Sequence, residues 1–161
     1  MKRWVFYLIA ALSLYVGFVK ADSFGDAGAA YVKGDFVQVV KLLRPLAEKG
    51  NSEAQYKLGV MFDQGQGVAQ DYLEASKWYR LSAVQGKSGA QYNLGVMYAK
   101  GQGVNQDYVR SYMWLSLAVA QGFSEAQIDR DWISQQMTPA QITEAKKMTR
   151  ACENSHYKKC D

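Results

Sequence analysis

Histidine occurs once in these 161 residues and cysteine twice, all three near the C-terminus at Cys152, His156 and Cys160. A metal site there would need a fourth ligand, nominally Glu153 or Asp161, and cysteines bonded to each other cannot act as thiolate ligands. His156 therefore reads as an exposed side chain beside a structural disulfide, and no metal or other cofactor is expected. Catalytic material is equally scarce. Nucleophilic chemistry needs a base within reach of Ser, Cys or Thr, and paired carboxylates need separations of about 5 to 9 Å. The acids here read mostly as helix caps and surface charges, so an enzyme is not expected.

The chain also has less excess basic charge than its net +4 suggests. Lys2 and Arg3 precede an apolar run from Trp4 to Phe18, and Val19-Lys20-Ala21 ends in the small residue that a signal peptidase needs beside its cut. Cleavage after Ala21 is expected, sending the chain to the periplasm or out of the cell. The run has 15 residues, against roughly 20 for a membrane-spanning helix, so stable insertion after cleavage is not expected and an uncleaved anchor is the alternative. No cysteine near residue 21 offers a thiol for a lipid. Removing Lys2, Arg3 and Lys20 takes the basic count from 19 to 16 against 15 acids, and the net charge to +1. A nucleic-acid partner is thereby not expected, because its electrostatic footprint is missing. In an exported chain Cys152 and Cys160 are read as one disulfide. It closes a short loop and fixes the tail, residues 154–161, for about 2 kcal/mol.

What the chain does have is a unit of 36 residues written twice. Residues 54–89 and 90–125 share 19 of 36 positions. A period of that length marks a stacked array in which no unit buries its apolar face alone. Ala54, Leu58, Met61 and Phe62 form one helical stripe, repeated by Ala90, Leu94, Met97 and Tyr98. Tyr72, Ala75, Ser76, Tyr79 and Ala83 form a second, echoed by Tyr108, Ser111, Tyr112, Leu115 and Val119. Each unit is thus two amphipathic helices. Aligning Asp35 with Asp71 and Gly50 with Gly86 adds a degenerate first copy, five residues shorter in its loop, and Ala126 in register with Ala90 opens a fourth. The fold expected is all-α, a right-handed alpha/alpha superhelical solenoid of about four helix-turn-helix units over residues 22–153, with units at about 24–50, 52–86, 88–122 and 124–153.

The helix boundaries are spelled locally. Ser52-x-x-Gln55, Ser88-x-x-Gln91 and Ser124-x-x-Gln127 read as capping boxes opening first helices. Asp35, Asp71, Asp107 and Thr138 read as caps of second helices, with Pro139 at the first helical position and Arg110 occupying the place where the third box would carry an acid. Gly50, Gly86 and Gly122 read as terminators of second helices, and Gly65 and Gly101 of first helices. The loops G-Q-G-V-x-Q at 65–70 and 101–106 are not phosphate cradles, since no Lys-Ser/Thr follows and no strand precedes. Gly59 and Gly95, mid-helix, each cost about 1 kcal/mol of propensity, and a neighbouring helix backbone passing close by is the expected reason.

What recurs is accounted for by packing, including Tyr56, Tyr92, Trp78 and Trp114. What differs between copies is a candidate for recognition. The inner face of a curved array is commonly lined by first helices, and on them Lys57, Gln64, Asn93 and Lys100 are the candidate partner surface.

The segments AQYKLGVMFDQGQGVAQDYLEASKWY and AQYNLGVMYAKGQGVNQDYVRSYMW, with PLAEKG closing the first copy, resemble Sel1-like repeats, alpha/alpha solenoid units related to tetratricopeptide repeats. The resemblance covers about residues 26–136, and the stretch from Met137 to Cys160 looks like the tail of small exported bacterial members. It implies adaptor work: a non-catalytic module in the cell envelope that captures a protein or peptide on its concave face. Some cysteine-rich secreted relatives, with a disulfide in each repeat, are connected with beta-lactam binding, so the alternatives are a weak peptidoglycan or beta-lactam hydrolase and a structural subunit of an envelope complex. This chain has no cysteine within its repeats.

Overall fold

The computed structural model describes residues 23–160, and the expected signal peptide, with its cleavage point after Ala21, lies outside them. Eight helices follow one another, and no strand occurs among the described residues: α1 Ser23–Val32, α2 Phe36–Glu48, α3 Ser52–Gln64, α4 Tyr72–Ala83, α5 Ser88–Lys100, α6 Tyr108–Ala120, α7 Glu125–Ser134 and α8 Pro139–Asn154. In the first three units the first helix packs on its own second helix (α1 on α2, α3 on α4, α5 on α6), and each of these second helices packs in turn on the first helix of the next unit. That alternation makes an alpha/alpha solenoid. First helices of adjacent units also touch one another, α3 with α5 and α5 with α7. They therefore form one side of the array, termed the inner face.

The stripes seen in the sequence form the core. Ala54, Leu58, Met61 and Phe62 are buried, as are Ala90, Leu94, Met97 and Tyr98, with Trp78 and Trp114 closing over them from the second helices. Leu58 and Leu94 are wholly buried, worth roughly 2 kcal/mol each in removal from water.

The second helices start as their sequences dictate. Asp35, Asp71 and Asp107 accept the backbone N–H of Gln38, Glu74 and Arg110, and Thr138 with Gln141 forms a reciprocal capping box. Arg110, out of place in a box, bridges the capping carboxylate of Asp107 at 2.7 Å.

The first helices start differently from expectation. Ser52 and Ser88 lie inside α3 and α5; the caps are Asn51, whose side chain accepts from Ala54 N–H, and Lys87, which makes no side-chain cap bond. Ser124 is the cap of α7 but also makes no cap bond. The box glutamines are recruited elsewhere. Gln55 and Gln91 are buried and donate to the carbonyls of Ala47 and Ala83 on the preceding second helices, at 2.9 and 3.1 Å. Each then accepts from a further glutamine, Gln85 at 2.7 Å and Gln121 at 2.5 Å. A buried amide gains more by pairing between units than by folding back on its own helix end, because unpaired it would carry its full desolvation cost.

Two glycine positions explain how closely units stack. A Cβ on Gly59 would lie 2.5 Å from the Tyr79 ring, and one on Gly95 2.8 Å from Leu115. The approach expected at these sites is real, but side chains, more than helix backbone, fill the notch. In the loops, a Cβ on Gly67 would fall 2.3 Å from the Phe36 carbonyl oxygen, and one on Gly103 2.0 Å from that of Tyr72. The second glycine of each G-x-G thus lets one unit's loop rest on the opening turn of the previous unit's second helix. The glutamine that ends each loop donates back to the first helix, Gln70 to Asp63 O at 2.7 Å and Gln106 to Ala99 O at 2.8 Å.

The C-terminal end departs from simple stacking. The chief neighbour of α8 is α6, the second helix of the previous unit. Ile133, Met137 and Ala145 join Leu115 and Ala118 in one cluster, while Cys152 and Cys160 belong to the main core. The two cysteines form a disulfide and both are buried. His156 is exposed. The tail is more than a polar end: the Tyr157 ring lies where a Cβ on Gly86 would meet it at 3.2 Å, so it folds back over the close of α4.

Candidate functional site

The inner face is built from α1, α3, α5 and α7. Its positions follow the repeat: Val60, Val96 and Trp132 occupy one column, Lys57, Asn93 and Asp129 another, Gln64 and Lys100 a third. An aliphatic residue in the first column of two units becomes a tryptophan in the last, and Trp132 is 54% exposed. At the other end Tyr31 is 56% exposed. Large apolar side chains held in water on the surface that would cover a partner are the feature that separates this face from the buried core.

Two regions of this face are hollow. Between α1 and α3 a depression of about 260 Å³ is lined by Tyr31, Leu43, Lys57, Val60 and Gln64 among others. It runs on into one of about 220 Å³ that also touches Phe24 and Gly28. Between α5 and α7 a second depression of about 390 Å³ is lined by Tyr92, Val96, Lys100, Asp129 and Trp132 among others. Three of the four residues singled out from the sequence line these hollows: Lys57 and Gln64 the first, Lys100 the second. Asn93, half-buried, instead hydrogen-bonds through its side chain with Tyr79.

In the walls of both hollows the chain covers its own tyrosines. Lys87 sits over the Tyr56 ring at 5.5 Å, and the same register one unit on places Phe123 stacked on Tyr92 at 4.9 Å. The cation and the ring are interchangeable coverings for the same tyrosine position.

The carboxylates of these helices are already engaged. Glu53 is shared by Lys57 at 3.5 Å and by Lys87 in a shorter contact. Partial burial pushes its pKa up, but the hydrogen bond and charge of Lys87, helped by Lys57, outweigh this and hold it below the ordinary value. Asp63 accepts from the Tyr79 hydroxyl at 3.1 Å. Burial first, then the Asp63 charge, push that phenol well above its usual range. One unit on, Tyr79 is replaced by Leu115 and Asp63 by Ala99, so the polar pair is lost as a pair. Tyr92 is pushed up to about 12 by desolvation and by its bond to Asp129. Neither Tyr79 nor Tyr92 is prepared to lose a proton, and among the described residues no group of His, Cys, Asp and Glu is placed to hold a metal ion.

Sequence comparison between copies missed the apolar part of this face. Trp132 carried a signal nonetheless: Trp78 and Trp114 stand one repeat apart, whereas Trp132 falls outside their register. Tyr31 carried none, because with the loop five residues shorter it aligns with Phe62, a residue of the buried stripe.

Residues 52–87 and 88–123 each match the family model described as Sel1 repeat. No curated protein matches the chain. Among solved structures, a protective antigen present in uropathogenic Escherichia coli strains, displaying an SLR fold, superposes with a TM-score of 0.77 at 30% identity over 85% of this chain. The match takes in 32% of that protein, so the chain spans about a third of its relative's length. A Sel1 repeat protein from Oxalobacter formigenes superposes with a TM-score of 0.62 at 36% identity, over 68% of this chain and 85% of its own. Proteins of this kind are generally modules for protein–protein interaction and typically non-catalytic. With the repeat matched twice in tandem and a Sel1 repeat protein overlaid across most of its length, the chain belongs to the Sel1 repeat family.

Proposed function

We propose that this chain is an exported, non-catalytic adaptor that captures a protein or peptide partner along the inner face of its solenoid. The observation that carries the reading is the column Val60, Val96, Trp132, with Tyr31 beyond it, which sets apolar side chains beside two open hollows on helices that otherwise bury their apolar stripe. Such a surface has the makings of a binding site: apolar anchors in its hollows and a rim of Lys57, Gln64 and Lys100. Export is supported by the signal-like opening of the sequence and by the Cys152–Cys160 disulfide, which an oxidising compartment sustains. The apolar run at 4–18 would be removed with the signal, leaving no stable membrane insertion, and no described helix is long and apolar enough to cross a membrane.

Charge reversal at Lys57 and Lys100 is expected to weaken partner capture while leaving the far-ultraviolet circular dichroism spectrum unchanged. Capture that is indifferent to both substitutions removes the inner face from the account.

A further inference from the structure

We propose that the inner face is an asymmetric two-anchor receptor for a segment of a partner protein: one bulky apolar side chain flanked by an acidic residue enters the α1/α3 hollow, and a second bulky apolar side chain enters the α5/α7 hollow. This rests on the inner-face reading above and adds what the partner must look like.

The two anchors come from the separation of the hollows. The two hollows share no lining residue, and Tyr56, in the wall of the first, is covered by Lys87 and approached by Gly89, where a Cβ would already lie 3.1 Å from the ring. A partner therefore finds two separate hollows on the face. The second hollow, about 390 Å³, is flanked by the Trp132 ring, whereas the first extends through two connected regions of about 260 and 220 Å³.

The asymmetry of charge comes from counting partners. Lys57 lines the first hollow and shares the single carboxylate of Glu53 with Lys87, which covers Tyr56 in the wall of that hollow, so two cations meet one carboxylate there and positive charge is in surplus. A carboxylate brought in beside the first anchor is paired on arrival. At the second hollow Lys100 and Asp129 line the same walls, the Asp129 carboxylate is turned to the Tyr92 hydroxyl, and the Glu125 charge acts on the same phenol. No surplus of positive charge arises there. The surplus fixes polarity too, because the acid-flanked anchor belongs at the α1 end.

Random-peptide display on the purified chain tests this directly, with the selected peptides then measured by fluorescence anisotropy against the wild type and the exposed-site variants Tyr31→Ala, Trp132→Ala, Lys57→Glu and Lys100→Glu. Circular dichroism of each variant confirms that it folds. The expected result is a consensus with two bulky apolar positions and Asp or Glu beside one of them only. Lys57→Glu then weakens binding about tenfold, and repeating the selection on it replaces the acid with Lys or Arg. Lys100→Glu weakens binding less, by under about threefold, and each aromatic truncation removes one conserved anchor. A consensus with a single anchor, an acid preference that ignores Lys57, or no consensus at all overturns the two-anchor assignment. Binding that is lost on Tyr31→Ala or Trp132→Ala, but from a single-anchor consensus, overturns it while sparing the inner-face reading. Peptides indifferent to all four variants overturn both.

Discussion

Gly103 and Gly101 stand two residues apart in the same loop with nearly the same backbone angle, φ 67° and 68°. An alanine at either position meets the same left-handed penalty, about 1 kcal/mol. Only Gly103 faces the Tyr72 carbonyl, at 2.0 Å from a would-be Cβ, whereas Gly101 meets the Gln106 side chain and backbone at 3.3 and 3.4 Å. Gly103→Ala is therefore expected to cost about 2 kcal/mol more than Gly101→Ala, measured as the difference in urea midpoints at constant slope. Equal costs would mean that the loop does not bear on the preceding unit. Glu53 provides a second prediction at this scale. Its folded pKa lies below its ordinary 4.5 because Lys87 and Lys57 outweigh the effect of burial. The stability it contributes is present above 4.5 and is lost as pH falls through the lower folded value. Lys87→Met should accordingly destabilise the protein at pH 7 and be nearly neutral below the folded value, read from denaturant unfolding at both pH values. The second-helix caps were legible because Asp35, Asp71, Asp107 and Thr138 act on amides three residues away. Ser52 and Ser88 misled because their glutamine partners find better acceptors in another unit, which a local motif cannot express.

Those glutamines govern how elements join. Gln91 is wholly buried, donates to Ala83 O on α4 and accepts from Gln121 after α6, so one amide ties three pieces of chain together. Gln91→Leu should lower stability by about 2 kcal/mol, since it removes both bonds and leaves polar groups buried without that partner; thermal unfolding checks this, and a neutral result would make the tie decorative. The tail is the other joining element. Cys152 and Cys160 enclose a loop of sequence separation 8, for which chain entropy gives about 2 kcal/mol. The double variant Cys152→Ser, Cys160→Ser should lose roughly that amount, lower the melting temperature, and make the wild type's response to reductant disappear. A melting temperature unchanged by reduction would show that Tyr157 and its neighbours hold the tail without the bond. The helices themselves were readable from period and punctuation. The seating of α8 on α6 was not, because the chain's return to an earlier helix depends on which surface remains uncovered at the end of the array, a property of the whole stack.

At the scale of the molecule, identity between repeats sorted structure from recognition only in part. Lys57, Gln64 and Lys100, found as differences between copies, lie at the rims of the hollows, yet the apolar walls behind them came from the column Val60, Val96, Trp132, where a conserved kind of residue is retained and then enlarged. A filter that searches only for differences discards the anchors and keeps the rim. The account of function rests on the inner face, and site-resolved photocrosslinking in the native cell tests it most directly. A photoreactive residue placed at position 64 or 100, on first helices, should yield a discrete partner adduct, while one at the exposed Leu81 of α4 should yield none. Adducts formed from position 81 and absent from positions 64 and 100 would contradict capture on the inner face.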